Sequence, residues 1–302
     1  MQTGRTVHLI RTETGERVGP FAVDGPGWQE VQPVVAGARQ YLGLEVVVLR
    51  LLEVDEDRAG GHVTYLVENR WTDEFTKVDD NQRPGRNEVL PSAHPLRATW
   101  ARPGGPKADV EWALSHLGLA AGTSQIRTWN LSSIWRLDAL EHFGGSEHPS
   151  VSVRAWLKVV PPFFAHEGAL IELLTTRGHP VPSLVAHAGN RLLMANVPGD
   201  DGYEATNSQR VEMMRTLVRI QLDAAGFIPA LLRAGVPDWR AQHLHSMAES
   251  VASTRRHELT RDDAGDLDGL VRSIPSRIAR VHECGIPDSV REAVAMANAE
   301  RL

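Results

Sequence analysis

The chain has 302 residues and a mass of 33.2 kDa, more than one hydrophobic core usually holds, so we expect two domains. Its 32 basic and 38 acidic residues give a formal net charge of −6, which argues against neutralising many phosphates of nucleic acid or of a membrane surface. The single cysteine, Cys284, excludes an internal disulfide, and no 18-residue apolar run or basic, apolar leader is present. These features predict a soluble cytoplasmic protein whose partner is neither nucleic acid nor membrane.

The first seventy residues have the pattern of a small mixed sheet. Residues 5–10, 45–54 and 62–68 are rich in β-branched side chains and are bounded by glycine or acidic turns, so we predict three strands. Between the first two strands, apolar residues recur at helical spacing over 28–42, and Gly43 ends the predicted helix.

Residues 69–108 are polar and rich in proline and glycine, which is typical of a segment that buries too little apolar surface to fold alone. We therefore place a domain boundary here, with a first domain over 1–95 and a linker over 96–108. Asp109 is expected to cap the N-terminus of a short helix over 110–117.

After the linker, the pattern changes from strands to helices. Strand-like runs occupy 125–137, 151–160 and 183–197, and a helix is predicted over 165–176. The last run is broken by Gly189 and Asn190, a dipeptide typical of hairpin turns, and short hairpins require an antiparallel sheet. From about Ser208 onward only helical spacing occurs. The predicted class is α+β, with a second domain over 109–199 and a helical part over 200–302.

Lys158 is the first candidate for chemistry, because it lies within an apolar strand run where an unpaired ammonium is costly. Glu167, nine residues later, opens the helix that would pack beside this strand. Kinase-type folds hold a lysine against the phosphates of ATP with such a strand lysine and helix glutamate. We expect the two side chains to lie within about 4 Å of each other. The alternative is that Lys158 faces solvent on an edge strand.

A short polar turn lies about 25 residues before Lys158. Asn130, Ser132 and Ser133 join two strand halves there, and such a turn can present N–H groups and hydroxyls to a phosphate. The alternative is an ordinary β-hairpin.

The end of the last strand run is a candidate hinge. Ala195, Asn196 and Val197 precede a break at a Pro-Gly pair, and in a two-lobed kinase-like enzyme their backbone would pair with adenine. Asp200 or Asp201 would then lie at the mouth of the cleft. The alternative is a plain connection between domains.

Four runs of the chain form a recognisable order. They are Arg127-Thr-Trp-Asn-Leu-Ser-Ser-Ile-Trp-Arg-Leu, Trp156-Leu-Lys-Val-Val-Pro-Pro-Phe-Phe-Ala-His-Glu, Val197-Pro-Gly-Asp-Asp and Gly235-Val-Pro-Asp-Trp-Arg. Over about 108–288, this pattern resembles the aminoglycoside phosphotransferase family, which has the protein-kinase-like fold. The resemblance implies a kinase-like N-lobe and ATP with Mg²⁺. It also implies that Lys158 contacts the phosphates, that Glu167 orients Lys158 and that residues 195–197 form the hinge.

The end of the chain departs from this family. Its members follow a segment like Glu283-Cys-Gly-Ile-Pro-Asp with a His-Gly-Asp-x-His-x-x-Asn loop and a later Asp motif, which supply the base and the Mg²⁺ ligands. No His-Gly-Asp occurs in this sequence, and a different run follows Asp288. We therefore expect a truncated helical lobe, no catalytic residue, no metal ligands, weak or lost ATP binding and no phosphate transfer.

Two hypotheses follow from this departure. One is a truncated member of the family, which phosphorylates a hydroxyl of a small molecule, with the acceptor unknown. The other is a pseudoenzyme that binds a nucleotide or metabolite without turning it over.

The N-terminal part resembles the Nudix fold. Ala36-Gly-Ala-Arg-Gln-Tyr-Leu-Gly-Leu aligns with the Arg-Glu-apolar-x-Glu-Glu-x-Gly-apolar core of that family. However, Gln40 and Tyr41 replace the metal-binding glutamates, and Ala36 and Gly37 replace the Arg-Glu pair. Because divalent ions prefer carboxylates, we expect a degenerate Nudix-like scaffold or sensor without a metal. A Nudix-type pyrophosphohydrolase is the third, less favoured hypothesis.

Overall fold

The structure is a computed structural model, and it describes residues 4–25, 27–55, 61–71, 94, 97–117, 121–141, 150–199, 202, 204–239 and 241–283. Helices are abundant and the strands form two sheets, so the chain is of the α+β class, as the sequence predicts. It divides into two compact units. We call Met1–Glu172 with Val181–Pro198 the sheet unit, and Leu173–Pro180 with Gly199–Leu302 the helical unit.

The first sheet has four strands in the order β2-β1-β4-β3. The strands are β1 (Arg5–Arg11), β2 (Arg17–Val23), β3 (Val46–Val54) and β4 (Gly61–Asn69). β1 runs parallel to β4, whereas the β1–β2 and β3–β4 pairs are antiparallel. The strands predicted over 5–10, 45–54 and 62–68 correspond to β1, β3 and β4, so the predicted mixed sheet is confirmed.

The sequence pattern does not predict β2, because Gly19 and Pro20 interrupt the run of strand-forming residues. β2 is an edge strand, where a proline without an N–H group is tolerated. Its register with β1 shifts between Val7 and Leu9, and Gly19 there has φ of +106°. A Cβ at Gly19 would come within 2.8 Å of the Val7 carbonyl oxygen, so this position requires glycine.

The helix predicted over 28–42 is shorter than expected. α1 (Gln32–Gly37) has Pro33 in its first turn and runs directly into a π-helical turn, Ala38–Leu42. Gly43, with φ of +65°, ends this turn as predicted. The core between α1 and the first sheet includes Val7, Leu9, Val31, Val34, Ala38, Val63 and Tyr65.

Two residues of the predicted linker, Trp100 and Ala101, are packed into a core. Both lie in a single turn of 3-10 helix, Thr99–Ala101. Trp100 shares its core with Val47 of the first sheet and Trp135 of the second. Both sheets therefore belong to one compact unit, although the predicted boundaries themselves stay predictions.

The predicted cap at Asp109 is wrong. α2 spans Gly105–Leu117, so Asp109 lies inside the helix, where its side chain is buried. Asp109 Oδ1 accepts a hydrogen bond from Arg191 Nε at 2.7 Å, and burial raises the pKa of the Asp109 carboxyl. The residue therefore ties α2 to the sheet through an ion pair.

The second sheet has five strands in the order β5-β6-β7-β9-β8, and every neighbouring pair is antiparallel. Its strands are β5 (Ala121–Thr128), β6 (Ser133–Glu141), β7 (Ser150–Val159), β8 (Leu184–Ala188) and β9 (Arg191–Ala195). The helix α3 (Glu167–Thr176) lies between β7 and β8 in the chain. The predicted antiparallel arrangement is confirmed, and so is the hairpin at Gly189, which has φ of +57°. Lys158 lies on β7, the central strand, as predicted.

Gln125 joins the edges of the two sheets. Its Nε2 donates to the Val48 carbonyl oxygen at 2.7 Å, and the Val48 N–H donates to its Oε1 at 2.9 Å. Val48 lies on β3 and Gln125 on β5, which are edge strands of their sheets. Because an open strand edge invites pairing with other chains, this buried amide satisfies a backbone edge that would otherwise lack partners.

In the described residues of the helical unit, four further α-helices are present. They are α4 (Asn207–Ala224), α5 (Ile228–Arg233), α6 (Ala241–Arg255) and α7 (Arg261–Glu283). Thr206 and Gln209 form a capping box at the start of α4. Asp262 and Asp263 lie in the first turn of α7, where negative charge is favourable. Within the described ranges, no helix is long and apolar enough to cross a bilayer.

Candidate functional site

Lys158 and Glu167 form an ion pair in the sheet unit. Lys158 Nζ donates to Glu167 Oε1 at 2.6 Å, which confirms the contact predicted from the sequence. Lys158 is on the central strand and Glu167 is the first residue of α3, so strand and helix present the two groups to each other. The side chains of Lys158 and Glu167 are 27 % and 22 % exposed, respectively. The pair is therefore partly shielded from solvent, but a ligand can still reach it.

The alternation of β7 decides which way Lys158 points. Ala155, Leu157 and Val159 are buried in the core shared with Trp100, so Trp156 and Lys158 lie on the opposite face of the strand. On that face, Ile171 of α3 packs with Leu192 of β9, directly opposite Lys158 in the strand register. The lysine is therefore on the helix-covered face of a central strand, and the edge-strand alternative is wrong.

The polar turn before Lys158 is occupied by internal contacts. Ser132 Oγ accepts from Trp129 Nε1 at 2.8 Å, and Ser133 Oγ accepts from Trp135 Nε1 at 3.1 Å. Both serines are buried, while Asn130 is exposed. The turn thus resembles the hairpin alternative, and its assignment as a phosphate site stays a prediction.

The candidate hinge lies at the end of β9. The Ala195 N–H donates to the Ser183 carbonyl oxygen at 2.9 Å, so this donor is used within the protein. Asn196 and Val197 are exposed. Their role as an adenine-binding hinge stays a prediction, and Asp200 and Asp201 lie outside the described residues.

Two further residues lie on the same sheet face as Lys158, and neither is among the site residues predicted from the sequence. Trp156 precedes Lys158 by two residues, and its Nε1 donates to Asn196 Oδ1 at 2.9 Å. Arg136 of β6 stands opposite Trp156 in the strand register and contacts Asp138 at 3.1 Å. The alternation around Lys158 is the signal that could have found Trp156, whereas Arg136 required the register.

His166 precedes Glu167 and is partly desolvated. Burial is the main cause that lowers the pKa of its imidazole, and the neighbouring Glu167 carboxylate opposes this effect. The lowered pKa favours the neutral imidazole beside the ion pair.

The positions aligned with the Nudix signature carry no metal-binding chemistry. Gln40 and Tyr41 lie exposed on the π-helical turn. Arg39 forms an ion pair with Glu45, which raises the pKa of the guanidinium and lowers that of the carboxyl. Glu45, the carboxylate that follows the aligned residues in the sequence, is therefore paired with an arginine.

Candidate metal ligands are dispersed in the described part of the chain. No group of three or more His, Cys, Asp or Glu side chains there is placed to hold a metal ion. His243 contacts Asp238 at 3.0 Å, and His245 contacts Glu249 at 3.7 Å. Cys284 lies outside the described residues.

The arrangement around Lys158 places two cations, each paired with a carboxylate, and a partly exposed indole on one sheet face. Comparison with protein-family models, with curated proteins and with solved structures found no match to this chain. The functional conclusion therefore depends on the geometry of this site and on the sequence resemblance.

Proposed function

We propose that the sheet unit is a kinase-like nucleotide-binding lobe, similar to that of aminoglycoside phosphotransferases, in which Lys158 contacts the phosphates of ATP. The observation that carries the proposal is the 2.6 Å ion pair between Lys158 on the central antiparallel strand and Glu167 at the start of α3. Lysine–glutamate pairs of this kind position the phosphate-binding lysine in kinase-type folds. The four-stranded sheet with α1 is proposed as a Nudix-like scaffold.

The chemistry of the pair suits phosphate binding. A lysine ammonium carries three N–H donors, and Glu167 accepts one of them. Two donors remain for phosphate oxygens. Lysine has a long, flexible side chain, so the bond to Glu167 also restricts its position before the ligand arrives.

We further propose that the chain binds ATP weakly and that no phosphate transfer follows. The family resemblance places the catalytic base in a His-Gly-Asp loop, which this sequence lacks. Phosphoryl transfer depends on metal and base to stabilise charge. The described residues offer Lys158 as a phosphate contact but no cluster of carboxylates for Mg²⁺, so no step through the metal is derived.

The experiment is calorimetric titration of the full chain with Mg²⁺ and ATP. Lys158→Ala is expected to weaken binding by about tenfold or more, since a charge-assisted hydrogen bond contributes about 1.5–3 kcal/mol. Lys107→Ala is the matched control, because Lys107 is an exposed lysine of α2 that pairs only with Glu111 among the described ion pairs. Its affinity should equal that of the parent. Equal affinity of the parent and Lys158→Ala would refute the phosphate contact.

Phosphate release tests the absence of transfer separately. The full chain is incubated with Mg²⁺, ATP and a panel of amino-sugar and hydroxyl acceptors, and release should equal the buffer control. Turnover that disappears in Lys158→Ala would show that the chain is an active enzyme. Asp238 would then be the first described carboxylate to test as the base.

A further inference from the structure

Residues 28–31, which follow the first two strands of the four-stranded sheet, contact an edge of the second sheet. We call them the bridging segment. The Thr128 N–H, at the end of β5, donates to the Gln29 carbonyl oxygen at 3.0 Å. The Val31 N–H donates to the Ile126 carbonyl oxygen at 3.1 Å. The bridging segment therefore pairs with the last residues of the edge strand β5, directly before the polar turn that joins β5 to β6.

Two buried side chains of the four-stranded sheet fix the other side of the bridging segment. Arg5 Nη2 donates to the Glu30 carbonyl oxygen at 2.9 Å, and the Tyr65 hydroxyl donates to the Trp28 carbonyl oxygen at 2.6 Å. Arg5 Nη1 also donates to the Tyr65 hydroxyl oxygen at 2.8 Å, and both residues are 1 % exposed. Because buried hydrogen bonds from a charged group are strong and directional, the first sheet sets the position of the segment.

Two side chains of the bridging segment reach the residues on either side of Thr128. The ring centroids of Trp28 and Trp129 are 6.4 Å apart, and the rings meet edge to face at 60°. Glu30 forms an antiparallel bridge with Arg127, and its carboxylate accepts a hydrogen bond from Arg127 Nη2. The segment therefore contacts the start of the polar turn as well as the strand before it.

Trp129 is the first residue of the polar turn and closes it. Its N–H donates to the Ser132 carbonyl oxygen at 3.0 Å, and its Nε1 donates to the Ser132 hydroxyl oxygen at 2.8 Å. Its own carbonyl oxygen accepts a hydrogen bond from Trp100 Nε1 at 3.0 Å. Because Trp129 makes all of these contacts, a change in its position alters the shape of the whole turn.

The strand register places the end of this turn beside Lys158. Ser133, which follows the turn, pairs with Val159, and Ile134 pairs with Lys158. Since neighbouring strands lie about 4.8 Å apart, the turn begins close to the strand position of Lys158. The polar turn is therefore the loop of β6 that lies next to the proposed phosphate contact.

We infer that the bridging segment positions the polar turn for the phosphate oxygens of the ligand at Lys158, and that Trp28 and Glu30 are positioning residues. This inference rests on the proposed function, because its ligand is the ATP proposed above. A turn that is ordered before binding loses less conformational entropy when the ligand arrives. By linkage, the ligand should also stabilise the bridging segment. The four-stranded sheet then acts on ligand affinity without contacting the ligand.

Hydrogen exchange of the full chain measures how firmly the turn is held. Trp28→Ala and Glu30→Gln remove side-chain contacts but keep the backbone hydrogen bonds of the segment. Each is expected to speed amide exchange in peptides from 129–133 by about threefold or more. Glu45→Gln, which removes an exposed ion pair with Arg39, is the matched control and should leave this exchange unchanged. Equal acceleration in β3 would show a general loss of stability and would contradict positioning.

Titration with ATP and with inorganic tripolyphosphate tests the effect on the ligand. Trp28→Ala and Glu30→Gln should each weaken both probes by about threefold or more, because the turn is proposed to contact phosphates. Trp28→Phe keeps an aromatic ring, so its affinities should lie within about twofold of the parent. In the parent, tripolyphosphate at saturation should slow amide exchange in peptides from 28–31.

The outcomes separate this inference from the proposed function. If Lys158→Ala weakens both probes while Trp28→Ala and Glu30→Gln equal the parent, the inference is overturned and the proposed function stands. If these two variants weaken ATP but not tripolyphosphate, the effect lies at the nucleobase, and the inference is overturned as well. No binding of either probe to the parent would refute the proposed function and the inference together.

Discussion

Glu68 is a buried acid at the end of β4. Its Oε2 accepts a hydrogen bond from the Gly104 N–H at 2.6 Å, just before α2 begins. The pKa of Glu68 is raised to about 7, mainly by burial and also by the neighbouring Glu13, while the Gly104 N–H and Lys107 partly oppose this increase. The carboxyl therefore changes charge near neutral pH while it contacts the start of a helix.

The raised pKa predicts a pH-dependent stability. Between the ordinary pKa of about 4.5 and the folded value of about 7, the folded state binds more protons at Glu68 than the unfolded state does. Its free energy of unfolding therefore falls as pH rises through this window, by an amount on the order of 1–3 kcal/mol. Glu68→Gln should remove the part of this pH-dependent decrease in the free energy of unfolding that Glu68 causes.

Urea unfolding at pH 5, 6, 7 and 8 measures the effect for the parent and for Glu68→Gln. The stability gained by the variant should be smallest at about pH 5 and largest at about pH 8. Glu16→Gln is the control, because Glu16 is an exposed acid. A constant difference between Glu68→Gln and the parent across the series would contradict the prediction.

Gln125 carries a second prediction at the residue scale. Gln125→Leu keeps an apolar side chain in the buried position but leaves the N–H and C=O of Val48 without partners. Each unsatisfied buried group costs about 1–3 kcal/mol, so we expect a loss of about 2–4 kcal/mol in urea unfolding. Gln40→Leu, on the exposed π-helical turn, should change stability by less than about 0.5 kcal/mol.

The position of α3 depends on a glycine. A Cβ on Gly168 would come within 2.5 Å of His187 Nδ1, so α3 approaches β8 at a distance that only glycine allows. Because Glu167 is the preceding residue, a shift of α3 also moves the partner of Lys158. The helix, the neighbouring strand and the ion pair are therefore coupled.

Gly168→Ala is expected to lower stability by about 1–3 kcal/mol and to weaken ATP binding together with it. Gly269→Ala is the control in another helix, α7, where an added Cβ meets nothing within 4 Å. It should raise stability by about 0.5–1 kcal/mol, since alanine favours helices over glycine. Thermal unfolding and ATP titration measure both variants. A stabilising Gly168→Ala would mean that His187 moves aside.

At the scale of the whole molecule, the two units differ in their cores. The buried apolar residues are concentrated in the sheet unit. The helical unit contributes Leu174, Phe227, Val236, Ala252 and Val271, each 4–9 % exposed. Because buried apolar area is the main source of stability, the helical unit should unfold first.

Calorimetry of the full chain is expected to record two transitions. Seven of the eight tryptophans belong to the sheet unit, and Trp239 is the exception, so tryptophan fluorescence should follow the upper transition. Circular dichroism of helices should follow the lower one, because the three longest described helices, α4, α6 and α7, are in the helical unit. Coincident curves from both probes would indicate one cooperative molecule.

Local pattern was sufficient to predict much of this chain. The strands β1, β3, β4 and β7, the helix α3 and the hairpin at Gly189 follow from apolar periodicity and turn residues, which act within a few neighbours. The contact between Lys158 and Glu167 followed as well, because a strand and the helix after it must pack together. The roles of the two residues in nucleotide binding remain a proposal.

Other features depend on residues that are distant in the sequence. Pattern alone predicted a linker over 96–108 and a cap at Asp109, yet Trp100 enters a core made by both sheets and Asp109 meets Arg191, 82 positions away. The Ser132 and Ser133 hydroxyl oxygens accept hydrogen bonds from tryptophans, a contact that the sequence pattern does not show, and their role as phosphate donors stays a prediction. Sequence by itself determined which segments could form strands and helices. Tertiary structure alone decided which polar groups remain open, since burial and partners depend on packing between distant segments.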